Sequence, residues 1–300
     1  MAVGCFTKKW GRIMRILLCS AAAIALSGCS WMGMGHGHKH QSDNSYHGGH
    51  YAQQSNANEC CFGTKKLSRW NIEAGVGPEF IVGGDAVTGD RTHAGFTAPV
   101  TALNTVSMDT AYDTGYRADI GGSYAFTPNR KLTGQVYYSQ ADGKDVALGL
   151  QDDVELRGQM SDYKSYGVEA GLRQYFRPAP MPLVHSVRPY VEGKVGAAHI
   201  DSIRLENIRG VTPVDPLTPT TLSMYDDGWV PTGAALVGVE TPLFNRMTVG
   251  VETGVRYAGK PKSDNSDFAD PTSFNGRYSG LNNGGDRWTV PLTIRGRYRF

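Results

Sequence analysis

The stretch Asp286–Phe300 constrains the fold more than any other part of the chain. Trp288, Val290, Leu292, Ile294, Gly296, Tyr298 and Phe300 fall on one parity, and Arg287, Thr289, Pro291, Thr293, Arg295, Arg297 and Arg299 on the other. Side chains along a strand point to opposite faces with period two, so this segment reads as a strand with one apolar and one strongly basic face. As the last strand of a soluble sheet it would leave a sticky edge. A closed barrel in lipid has a use for both faces, because lipid-facing and lumen-facing residues alternate along each of its strands.

The same alternation recurs about eight times after Lys66. The runs start near Trp70, Tyr116, Lys131, Tyr166, Tyr190, Trp229, Met247 and Arg287, the sixth being the least clear because both faces are apolar until Glu240. The apolar parity carries no charged residue. The other parity carries Glu73, Glu79, Asp119, Glu169, Glu192, Glu240 and Glu252, answered by Arg117, Lys131, Arg173, Lys194, Arg256, Arg295 and Arg297. A sandwich would turn its charged face to water. A barrel in lipid turns it inward, which predicts an interior charge network.

The connections alternate in length. Thr127–Arg130, Arg177–Val187 and Pro242–Arg246 are short to moderate, whereas 83–111, 141–161, 201–227 and 258–285 are long, polar and rich in Gly, Asp, Asn and Ser. Short turns at one end and long loops at the other are the pattern of an outer-membrane barrel, with both termini in the periplasm. Aromatics then gather in two belts at the borders of the membrane. Phe80, Tyr116, Tyr138, Tyr166, Trp229, Tyr257 and Trp288 form one; Trp70, Tyr124, Phe126, Phe176, Tyr298 and Phe300 form the other.

Hydropathy agrees with this reading. The mean hydropathy is -0.34, and no stretch past the amino terminus approaches the roughly 18–20 apolar residues of a transmembrane helix. Residues 1–28 read as a signal peptide, with Lys8, Lys9, Arg12 and Arg15 before the apolar Ile16–Leu26. Leu26-Ser27-Gly28-Cys29 resembles a bacterial lipobox, which implies lipidation of Cys29; cleavage after Ala23-Ile24-Ala25 is the rival. Removing the four basic signal residues leaves 26 Lys+Arg against 28 Asp+Glu, a balance that gives no argument for nucleic-acid binding. Residues 29–67 read as a flexible tether. Its His36, His38 and His40 can bind Zn, Ni or Cu weakly, with no other cofactor expected. The adjacent Cys60 and Cys61 could close only a strained ring.

Over residues 68–300 the chain resembles the small outer-membrane barrels of the OmpX and OmpA transmembrane-domain type. The resemblance rests on the strand pattern and on the terminal Thr-Ile-Arg-Gly-Arg-Tyr-Arg-Phe, in which Tyr298 and Phe300 match the signal read by the barrel-assembly machinery. It implies an all-β fold, a closed antiparallel transmembrane β-barrel of about eight strands; the signal helix and disordered tether expected before it are read from the residues themselves. It also implies contact with outer-membrane lipids and lipopolysaccharide, and a monomer. The chain departs from full-length OmpA in lacking a downstream peptidoglycan-binding domain, and from both in its tether.

The interior of such a barrel is just wide enough for side chains to fill. The expected network is Glu73, Arg117, Asp119, Glu169, Arg173, Glu192, Lys194, Glu240, Glu252, Arg256, Arg295 and Arg297, and it predicts no open pore; a narrow porin is the alternative. A lipid A deacylase-like enzyme is another, through His199, Asp201 and Ser202 at the outer end of the fifth strand, although their spacing reproduces no deacylase motif. The expectation is therefore a non-enzymatic protein with a structural or surface-interaction role, its long loops available to an extracellular ligand.

Overall fold

A computed structural model describes residues 69–89, 91–92, 101–151, 154–181, 184–210, 220–268 and 280–300. The signal segment, Cys29, the tether histidines, Cys60 and Cys61 lie outside the described residues.

Eight long strands build the barrel: β1 (Trp70–Gly83), β2 (Gly115–Thr127), β3 (Arg130–Ala141), β4 (Tyr163–Tyr175), β5 (Val184–Ile200), β6 (Gly228–Phe244), β7 (Met247–Ala258) and β8 (Arg287–Arg299). Each pairs antiparallel with its neighbours in sequence, and β8 returns to β1 with Ile72 opposite Tyr298 and Val76 opposite Ile294. That last pairing closes the sheet on itself and leaves no edge in the barrel wall. Strands of 12 to 17 residues exceed the roughly 9–11 that a tilted strand needs to cross a bilayer, so their ends project beyond it.

The exterior is apolar and exposed, the interior charged and buried. Val76 (58% exposed), Ile120, Val136, Leu172, Val195, Val251 and Ile294 (60%) all face outward. Glu73, Arg173, Glu252 and Arg295 face inward and are buried. This inversion of the soluble pattern makes lipid the solvent of the outer wall. Both aromatic belts form across strands: Tyr257 stacks near Trp288 at 4.8 Å, Tyr116 near Tyr138 at 6.3 Å, and at the opposite end Trp70 near Tyr124 at 4.9 Å.

The long connections differ from their expected character. Instead of irregular loops, three of them carry a second, six-stranded sheet in the order Thr220–Tyr225, Ile203–Gly210, Val154–Met160, Asp145–Gln151, Thr101–Leu103, Arg91–Thr92. The cause is a short alternation hidden among polar residues: Val146 and Leu148, Leu156 and Met160, Ile203 and Leu205, Leu222 and Met224 are buried. They form one cluster with Val106, Met108, Tyr112 and Leu281, and with Tyr137, Tyr163, Ala198, Ile200 and Val230 at the rim of the barrel. The fourth connection ties the sheet's end down. Asp267 accepts a hydrogen bond from the Ser223 N–H at 2.7 Å, and Leu281 accepts one from the Thr88 N–H at 2.8 Å. These connections therefore make a folded cap with a water-excluding core of its own over one mouth of the barrel.

The two outer surfaces should respond differently to charge. At mid-strand on the lipid face, Val76→Arg should cost about 2–4 kcal/mol. Leu150→Arg, on the exposed side of the cap sheet, should stay within about 0.5 kcal/mol of zero. Urea-dependent folding into lipid vesicles, followed by gel mobility, checks both.

Candidate functional site: the charged barrel interior

Buried inward side chains from all eight strands meet inside the barrel, in three layers. At the short-turn end, Arg173 on β4 lies between two carboxylates, with Nη1 at 2.8 Å from Glu73 Oε1 and Nη2 at 2.8 Å from Glu192 Oε2. Arg297 on β8 pairs with Glu73 at 3.2 Å and with Glu240. Ser123 donates to Glu73 at 2.6 Å, and Tyr175 donates to Glu240 at 3.2 Å. Below this layer Arg188 donates to the Pro128 carbonyl at 2.7 Å and sits 4.4 Å over the Tyr175 ring, tying the β2–β3 turn to β5.

In the middle layer Arg295 bridges Asp119 at 2.6 Å and Glu252 at 3.2 Å. Lys194 donates to Gln135 Oε1 at 2.8 Å. The cap-side layer holds Glu169, paired with Arg117 at 3.0 Å and Arg256 at 2.9 Å, and Glu79, 3.5 Å from Arg287. Arg117 lies 3.4 Å over the Tyr137 ring, and Arg287 lies 3.8 Å over that of Tyr163.

Strand register explains why these contacts fall where they do. Arg173 is directly opposite Glu192, and Glu73 is directly opposite Arg297. Other charges face a glycine instead: Gly75 is opposite both Asp119 and Arg295. A Cβ at Gly75 would come within 2.9 Å of the Asp119 carboxylate, and one at Gly238 within 2.4 Å of the Tyr190 ring. The narrow lumen accommodates its long side chains because residues across from them are missing theirs.

All twelve residues expected in the interior network lie buried within the barrel, and the structure brings each into hydrogen bonds or ion pairs with others. Arg287, already on the basic parity of the last strand, joins them, as do Tyr163 and Tyr175, which were not singled out in the sequence. Arg287, Tyr163 and Tyr175 are buried, and each shares the inward parity of its strand. Extending the odd-numbered register of β4 to both strand ends identifies the two tyrosines.

His199 stands at the cap-side end of β5, stacked on Tyr166 at 5.0 Å and edge-on to Trp229 at 5.7 Å. Its Nδ1 is 3.8 Å from Asp201 and its Nε2 3.4 Å from Asp227. Neither carboxylate hydrogen-bonds Nδ1, which is buried without a partner, and the imidazole belongs to the aromatic belt at the cap side. On the cap, Asp145 sits among Arg157 and Arg209. Burial raises its carboxyl pKa, but hydrogen bonds and charge from the two guanidiniums outweigh that and hold it below the usual aspartate range. Among the described residues no cluster of His, Cys, Asp and Glu could hold a metal ion.

No family model matches this chain, and no curated protein does. Solved structures do resemble it. Neisserial surface protein A is 12% identical with a TM-score of 0.40, over 79% of this chain and 100% of its own. The outer membrane protein OprG of Pseudomonas aeruginosa is 15% identical with a TM-score of 0.33, over 78% and 97%. Ail, the attachment invasion locus protein of Yersinia pestis, is 14% identical with a TM-score of 0.31, over 77% and 98%. At such scores none of them bears on what this chain does. The architecture rests on its own strand order: a closed, eight-stranded antiparallel barrel with an apolar outer wall, of the small outer-membrane kind.

Removing one partner of a buried pair leaves an uncompensated charge, at a cost of about 3–5 kcal/mol. Arg173→Met, which strands Glu73 and Glu192 together, should show this loss in urea-dependent folding. The double variant Arg173→Met/Glu192→Gln should recover part of it.

Proposed function

We propose that this chain is a monomeric bacterial outer-membrane protein with a structural or surface-interacting role, its lumen closed to steady ion flow. The cap lies outside the cell and the short turns lie in the periplasm. Lipopolysaccharide and other outer-membrane lipids surround the two aromatic belts, and an extracellular ligand meets the cap.

The observation that carries this reading is the set of buried ion pairs that cross the lumen. Charged side chains from facing strands meet in all three layers, and the cavity lined by Glu79, Arg117, Glu169, Arg256 and Arg287 has a volume of about 20 Å³. Roughly 10–15 Å³ is what one water needs, so that space is not a passage. Freeing a path would mean breaking several buried ion pairs at once. The folded cap supports the surface role, since a sheet ordered before it meets a partner loses less freedom on binding than a mobile loop does. Its outer face presents Asp145, Glu155, Arg157, Gln159, Arg204 and Glu206 to solvent.

Purified protein reconstituted in planar bilayers should give no steady conductance steps. A reproducible single-channel current would overturn the closed lumen. In a deletion strain, mass spectrometry of lipid A should show an unchanged acylation pattern, and an altered pattern would favour a lipid-modifying enzyme instead.

A further inference from the structure

The cap-side layer of the lumen has more positive charge than negative. Three guanidiniums, those of Arg117, Arg256 and Arg287, line its cavity together with two carboxylates, those of Glu79 and Glu169. All five residues are buried. Both carboxylates are already occupied at each oxygen. Glu169 accepts from Arg256 at 2.9 Å on both oxygens and from Gln135 at 2.9 Å. Glu79 accepts from Thr289 at 2.8 Å on one oxygen and from Ser139 at 2.6 Å on the other.

The donors around the cavity are in the opposite condition. Among the described residues, Arg117 Nε, Arg256 Nε and Nη2, Arg287 Nε and Thr232 Oγ1 are buried and have no hydrogen-bond partner. Buried polar groups are rarely left so, and a buried surplus charge is rarer still. The cavity they line is about 20 Å³, the size of one atom or one water. A water accepts two hydrogen bonds and needs acceptors for two of its own, and it carries no charge to offset the third guanidinium. A monatomic anion accepts from several donors at once and needs no acceptor.

We propose that this cavity is a buried halide site, holding one chloride among Arg117, Arg256, Arg287 and Thr232. The anion neutralises the cap-side layer and completes the lumen's filling. The ion would be taken up as the barrel folds and its guanidiniums come together. The site stands whether or not the rest of the lumen conducts.

The test is to fold and purify the full chain with bromide in place of chloride, and to collect anomalous diffraction from crystals at the bromine edge. The expected result is one anomalous peak between Arg117, Arg256 and Arg287. Density there without anomalous signal would assign a water and overturn the proposal, as would an empty cavity. In solution, bromide retained after desalting should be about one per chain. Arg256→Gln, which equalises the charges of the layer, should lose it, and Lys131→Gln, at the other end of the barrel, should keep it. Each variant is first checked for folding by gel mobility. Because the wild-type measurement needs neither variant, a failure of Arg256→Gln to fold leaves the diffraction result decisive. Equal retention by folded Arg256→Gln and wild type would place the bromide elsewhere and overturn the site.

Discussion

Everything in this molecule depends on pairing the charges that the barrel turns inward. The outer wall must be apolar to meet lipid, and strand geometry then gives the alternate residues to the lumen. Those residues are Arg, Lys, Glu and Asp, which are costly to bury unless each finds a partner. The register supplies the partners: Arg173 faces Glu192, Glu73 faces Arg297, and Gly75 makes room where Asp119 and Arg295 meet. A slip of one residue would turn every such side chain toward lipid. The network therefore specifies the register of the barrel as well as filling it.

The cap extends the wall by a different kind of physics. Where the strands leave the aromatic belts, the buried residues change from charged to apolar: Tyr163 and Ile200 mark the border, and Leu148, Leu156, Met160 and Leu205 lie beyond it. Below the border the wall is apolar outside and polar inside. Above it the order is that of an ordinary water-soluble sheet, with Glu155, Arg157 and Arg204 outside. One chain thus switches its inside-out sense where its solvent changes.

The barrel was legible in the sequence because its signal is long and repeated. Eight runs of period-two alternation fix the strands, and the absence of charge on one parity fixes which face meets lipid. The interior charges follow from parity alone. Tyr163 and Tyr175 were harder to see because they lie at strand ends, where alternation has too few turns to register. The cap was not legible for a related reason. Its strands are short, and pairs such as Val146 and Leu148 sit among Gly, Asp and Arg in connections that read as polar loops. What joins them is contact between residues far apart in sequence, such as Leu205 opposite Met160. The reversal of polarity at the membrane border also breaks any single rule for inward residues.

The central claim is that β8 faces lipid on one side and a filled, dry lumen on the other. It is tested most directly by placing single cysteines at each position from Arg287 to Arg299 and labelling the protein with a fluorophore in vesicles. Lipid-phase quenchers should act with period two, strongly at even-numbered positions such as Leu292 and Ile294. Odd-numbered cysteines from 287 to 297 in folded protein should react neither with lipid-soluble nor with small water-soluble thiol reagents. Uniform quenching along the strand would contradict the inverted barrel, and ready reaction of Thr293 or Arg295 cysteine variants with the aqueous reagent would show a water-filled lumen.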